Sequence, residues 1–95
     1  MAADDWQPPE GWRRYTEANV FMQHVGPLWE RDGDGLLEYG FRIGEPHVNL
    51  LGVVHGGMLC TFLDHSLGHA AWQSIDRQPM VTINLDVNFL AGARL

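Results

Sequence analysis

The sequence predicts one α+β domain, on three observations. A turn, Asp32-Gly33-Asp34-Gly35, is followed by a segment in which Leu37, Tyr39, Phe41 and Ile43 alternate with Glu38, Gly40 and Arg42, the period of a half-buried strand. From Gly57 to about Ser74 the apolar residues Leu59, Phe62, Leu63, Leu67, Ala70 and Ala71 recur at spacings of three and four, the period of a helix. Val81, Ile83, Leu85, Val87 and Phe89 then alternate with Thr82, Asn84, Asp86 and Asn88, which predicts another strand. Strands and a helix in that order make a layered α+β arrangement.

Taken in order, residues 1–11 carry Asp, Pro and Gly and predict a loose arm. Residues 12–25 are mixed and fit a short helix, which Gly26-Pro27 ends. Leu28-Trp29-Glu30-Arg31 fits a strand, and the Asp/Gly turn after it supplies residues that tolerate the positive φ of a tight hairpin. Residues 44–57 form a loop bearing Gly, His and Asn; the helix follows, and Asp76-Arg77-Gln78-Pro79 closes it. A helix of about 18 residues is roughly 27 Å long at 1.5 Å per residue. Three strands do not cover it, so partner chains or further strands are expected to.

With 95 residues the chain has room for one domain at most, and its small core makes oligomerisation a common remedy. Apolar residues make up 45% and charged residues 19%, ordinary values for a globular protein. The formal net charge is −6, every basic residue is Arg, and no basic cluster exceeds Arg13-Arg14, so a nucleic-acid footprint is missing. The lone Cys60 excludes an internal disulfide and fits a reducing compartment. The first residues lack the basic start and apolar core of a signal peptide, and no apolar run would span a bilayer. The expected location is cytoplasmic, without a membrane.

Chemistry concentrates in Asn49-Leu-Leu-Gly52-Val-Val-His55-Gly56-Gly57 and in Asp64. Glycines at a helix start allow close backbone approach and leave amides pointing outward at the positive end of the dipole, a place suited to a developing oxyanion. Asp64 stands about two turns into the helix, and its helical neighbours Gly57, Cys60, Thr61, Gly68 and Ala71 are small, so this face is expected to pack closely against another surface. The bland alternatives are a solvated aspartate and a simple tight turn. His55 suits a base or a structural hydrogen-bonding residue. His65 and His69 share a face at i, i+4, yet a polar surface explains them as well as a metal does, and no metal site is expected. His24 and His47 offer nothing specific. Cys60 has no nucleophile motif around it, and no phosphate loop, dinucleotide fingerprint or CxxC pair is present.

The set Asn49-x-x-Gly52-x-x-His55-Gly56-Gly57, then Asp64, then Val81 to Leu90 resembles the PaaI-like (phenylacetic acid degradation type) hotdog thioesterases over roughly residues 19–92. The resemblance implies a hotdog fold, an antiparallel sheet wrapped around a long central helix, with residues 1–18 as an arm and 19–95 as the domain. Relatives continue well past the position of Leu95, so the domain is expected to lack its C-terminal strands. The resemblance further implies a homodimer or homotetramer with active sites at the subunit interface. In that scheme the Gly56 amide polarises the thioester carbonyl, and Asn49 and His55 shape the loop. Asp64 of another subunit acts as general base or nucleophile, and Thr82 holds the water. Gly57 and Thr61 are expected against the substrate. The implied function is hydrolysis of an acyl- or aryl-CoA thioester, with no cofactor beyond the coenzyme A of the substrate.

Two other functions fit some of the residues. A hotdog hydratase or dehydratase would pair His55 with Asp64 on a substrate carbon. A non-catalytic acyl-CoA binding or assembly module would need neither. The acyl group stays open among aryl-acetyl, hydroxybenzoyl and medium-chain types.

Overall fold

The computed structural model describes residues 5–16 and 19–95. It divides into two compact units, Met1–Arg42 and Ile43–Leu95.

The first unit is built on a hairpin. Strands β2 (Leu28–Asp32) and β3 (Leu37–Phe41) run antiparallel, with Leu28 opposite Phe41 and Asp32 opposite Leu37. The Asp/Gly turn closes as its composition predicts: Gly33 N–H donates to the Leu36 carbonyl at 2.7 Å, and Gly35 takes φ +81°, where a side chain would be strained. A short strand β1 (Arg13–Arg14) pairs with the other edge of β2, giving the order β1-β2-β3. The helix expected over 12–25 is thus confined to α1 (Val20–Val25), which Asn19 caps by accepting from Met22 N–H at 3.2 Å. Residues 17 and 18 lie outside the described residues. The physical reason for β1 is charge: Arg13 faces Glu30 at 3.3 Å and Asp32 at 3.1 Å on β2, and such cross-strand pairs favour the ladder. Arg31 and Glu38, directly opposite in register, form a second pair. Met22 and Leu28 are the buried apolar residues here.

The second unit is organised by one helix. A 3₁₀ turn (Glu45–His47) leads into a loop pinched by an antiparallel bridge between Val48 and Val54, and α2 (Gly56–Ser74) follows at once. The helix spans 19 residues, close to the expected Gly57–Ser74. It stops where Asp76 and Arg77 adopt positive φ, and the Arg77 guanidinium settles 4.8 Å from the Trp72 ring centroid. Met58, Ser66 and His69 form its buried face, and the His65 and His69 rings stack at 6.3 Å. Among the described residues no helix is long and apolar enough to cross a membrane.

The strand expected over Val81–Phe89 does not form. The segment has no ladder partner among the described residues, and Val81, Ile83 and Leu90 are almost wholly exposed. Alternation specifies which side chains share a face, but a strand also needs a neighbour to take its N–H and C=O groups. Backbone pairing of the tail comes further on: Val53 and Arg94 make an antiparallel bridge, and Val54 N–H donates to the Ala93 carbonyl at 2.8 Å.

Candidate active site

The loop before α2 is tied by its own side chains. Asn49 Oδ1 accepts from Leu51 N–H at 2.9 Å and Val53 N–H at 3.2 Å. The Asn49 carbonyl accepts from Gly52 N–H at 3.0 Å, and the Asn49 N–H donates to the Val53 carbonyl at 2.8 Å. Gly52 sits at φ +75°. The Asn-x-x-Gly spacing is therefore a turn requirement: an acceptor at its first position and a residue free to take left-handed backbone at its fourth. Asn49 ties the loop through these bonds.

His47 adds a tie that the sequence did not point to. Its ring is buried, Nδ1 accepts from Gly44 N–H at 2.8 Å, and its carbonyl accepts from His55 N–H at 2.9 Å. The available signal was the Gly44-Glu-Pro-His47 run, in which Pro opens a turn that brings the fourth residue back to the first. His55 itself exposes its side chain and places its backbone at φ −54°, ψ 136°, the extended geometry of a residue just before a helix. Its carbonyl accepts from Met58 and Leu59 N–H, and its side chain makes no capping bond.

The result is a helix start with two available donors. Neither Gly56 nor Gly57 N–H has an acceptor among the described residues, as the first turn of a helix dictates when no side chain caps it. The positive end of the helix dipole lies behind them. A methyl group added at Gly57 would meet nothing within 4 Å, whereas one at Gly56 would lie 3.1 Å from the Phe89 ring. Phe89 thus sits against the helix start, a contact between residues far apart in sequence that no periodicity could reveal.

Asp64 is exposed and accepts a 2.6 Å hydrogen bond from Thr82 Oγ1. The structure therefore brings together two of the residues singled out, across 18 positions. The close-packed surroundings expected for Asp64 are not found within the chain. Gly68, on the same stripe, also has open space where a side chain would be. Thr61 turns its hydroxyl back onto the Gly57 carbonyl at 2.9 Å, an i−4 bond internal to the helix. Eight residues separate Gly56 from Asp64, so the two lie about 12 Å apart along the axis at 1.5 Å per residue. An aspartate side chain does not span that distance, so the amide and the carboxylate of one chain do not meet on one carbonyl group. Among the described residues there is no group of three or more His, Cys, Asp or Glu that could hold a metal.

Residues 51–95 match the Thioesterase superfamily. That match is to a hotdog-type thioesterase domain and takes in the whole of α2 (Gly56–Ser74), while the three-stranded antiparallel sheet lies before it in the chain. Over 89 residues the chain is 37% identical to a Pseudomonas aeruginosa protein that bears the name "putative esterase". The match takes in 92% of this chain and 66% of that relative's length.

Proposed function

We propose that this chain acts as an acyl-CoA thioesterase of the PaaI-like type, hydrolysing an acyl- or aryl-CoA thioester in a homodimer or homotetramer. The observation that supports it most is the layout of α2: unengaged amides at its first turn and, about 12 Å on, a carboxylate held by Thr82. That separation asks for the two halves of a site to come from different subunits. The thioester oxygen would accept from Gly56 N–H, with Gly57 open to the substrate. Asp64 of the facing subunit would take a proton from water as the water adds to the carbonyl carbon. The carbon–sulfur bond then breaks, and the thiolate leaves with a proton to give free acid and CoA. Alternatively Asp64 would attack that carbon itself, expelling the thiolate to form a mixed anhydride that water then hydrolyses to the free acid and the regenerated carboxylate. Thr82 spends its own proton on Oδ1, which leaves the second carboxylate oxygen to face the water. Asn49 and His55 position the loop. No cofactor is called for, and the chemistry suits the cytoplasm.

The test is CoA thiol release from aryl- and medium-chain acyl-CoAs, with oligomer size recorded on the same samples. Asp64→Ala is expected to lower turnover about 10²- to 10⁴-fold, the range for a lost general base. Gly56→Pro removes the proposed donor at a position where Pro suits a helix, because His55 already has the extended backbone that precedes Pro. It is expected to cost about 10²- to 10³-fold in kcat with the helix intact. Each variant alone is inactive, but a mixture of the two should recover about a quarter of wild-type activity, since half of randomly formed dimers carry one intact site of two. Failure of the mixture to recover activity would refute the shared site. A well-folded wild-type oligomer without turnover would move the reading to an acyl-CoA binding module.

A further inference from the structure

Phe89 covers one flank of the helix start, and its placement is built within the second unit. The nearest atoms to a Cβ added at Gly56 are Cζ, Cε2 and Cε1 of the Phe89 ring, at 3.1, 3.3 and 3.7 Å, whereas a Cβ added at Gly57 meets nothing within 4 Å. Helical Cα–Cβ bonds lean toward the N-terminus, the direction in which the N–H groups also point, so the ring stands beside the path of the Gly56 N–H. Gly56 is accordingly half-buried and Gly57 exposed. The ring is held from the chain that follows it. Val54 N–H donates to the Ala93 carbonyl at 2.8 Å, Val53 bridges Arg94, and a Cβ added at Gly92 would lie 3.1 Å from Val53 Cγ1. The loop that leads into Gly56 therefore also fastens the segment that carries Phe89. Phe89 remains 55% exposed, so it lies on the amide without sealing the helix start.

We infer that Phe89 is a positioning residue for thioester hydrolysis: its ring is the apolar wall beside which the Gly56 amide meets the thioester oxygen. The inference rests on the reading of Gly56 as the oxyanion donor. Phe89 acts through that amide. A hydrogen bond to developing charge gains strength where water is excluded and the local dielectric is low. The ring excludes water from one flank of the Gly56 N–H, and the Gly57 N–H has no such cover. The two donors are thus unequal, and the substrate approaches from the Gly57 side. Glycine at position 56 is required for the arrangement, because a side chain there would push the ring away. The oxygen carries more charge in the tetrahedral intermediate than in the bound thioester, so the effect of the wall falls on kcat and leaves KM nearly unchanged.

The experiment is steady-state CoA release from phenylacetyl-CoA and octanoyl-CoA by the whole chain and its Phe89 variants, with a melting curve for each. Phe89→Ala should lower kcat about tenfold with KM within about twofold, a smaller loss than the roughly 10²- to 10³-fold of a missing oxyanion donor. Phe89→Leu restores an apolar wall and should return kcat to within about threefold of the wild type. Phe89→Gln, of similar size but hydrated, should stay as low as the alanine variant without melting earlier than Phe89→Leu. A purely packing role would instead rank the variants by stability and leave kcat of the folded protein unchanged. A readout free of turnover is amide exchange in chain carrying isotope-labelled glycine: Gly56 should exchange at least about tenfold more slowly than Gly57, and the difference should vanish in Phe89→Ala. The role is overturned by full kcat in Phe89→Ala, by equal kcat in the Gln and Leu variants, or by equal exchange of the two amides in the wild type. A wild type that hydrolyses neither thioester refutes the thioesterase reading and this role with it, whereas a wild type that hydrolyses them no faster than Phe89→Ala refutes this role alone.

Discussion

Residues 44–57 and residues 81–90 belong to the same unit, and neither contains a regular strand, yet they differ in what holds them. The first segment is rich in Gly, His and Asn and is tied by short-range bonds: Asn49 Oδ1 to two amides, His47 Nδ1 to Gly44, and His55 N–H to the His47 carbonyl. The second has the cleaner sequence pattern, but Ile83 and Leu90 are 97% and 94% exposed. The difference teaches that a polar loop can carry its partners within eight residues, whereas an amphipathic strand depends on a chain segment elsewhere. Pattern strength is therefore a poor guide to order when the partner is non-local.

The comparison can be broken most directly at Asn49. Asn49→Ala removes the acceptor shared by the Leu51 and Val53 amides, of which the Val53 one is part-buried, and is expected to cost about 1 kcal/mol in a thermal or urea melt. Asn49→Asp keeps the acceptor and should recover much of that. A loss below half a kcal/mol in the alanine variant would show that the loop is held by something other than its own side chain.

A smaller effect of opposite sign is expected on the face of α2 that carries Asp64. Gly68 is inside the helix with nothing within 4 Å of an added Cβ, so Gly68→Ala should stabilise the isolated chain by about 0.5–1 kcal/mol. If the substitution instead dissociates an oligomer seen by light scattering, a second chain packs on that stripe, as the shared site requires.

Next is the exposed segment. Ile83→Thr is expected to change stability by no more than about 0.5 kcal/mol, the usual result for a surface position. A larger loss, with altered amide exchange over 81–90, would mean that the segment is paired in solution and would erase the contrast.

The smallest effect concerns pH. The hydrogen bond and charge of Arg13 hold the Asp32 carboxyl below its ordinary value of 3.8. A lowered folded-state pKa adds stability that is present above the unfolded value and is lost as pH falls through the folded one. Asp32→Asn should therefore be slightly less stable than the wild type above about pH 4 and converge with it as pH falls below the folded-state value, a small difference because the pair is exposed.

Much of the architecture was legible because it depends on local rules. The Asp32–Gly35 turn, the hairpin around it and the extent of α2 follow from residues within a few positions of one another. The pairing of Arg13-Arg14 with β2 was missed, because a two-residue strand has no periodicity and is chosen by Glu30 and Asp32 on the neighbouring strand. His47 escaped notice for a related reason: a lone histidine gains meaning only once the 3₁₀ turn places it under Gly44. At the candidate site the sequence marked the Gly56-Gly57 start, Asp64 and Thr82 separately. The Thr82–Asp64 bond and the Phe89 ring over Gly56 emerged only when the chain doubled back.

The sequence by itself determined the α+β class, the two-glycine helix start with its unengaged amides, and a carboxylate two turns further on, because helix geometry follows from backbone sterics and hydrogen bonding alone. Tertiary structure decided what those groups face. It set Thr82 against Asp64, left the Asp64 stripe open and laid the Phe89 ring against Gly56. Each of these contacts joins residues whose separation along the chain bears no relation to their distance in space, and each depends on packing whose gain must exceed the entropy of bringing them together.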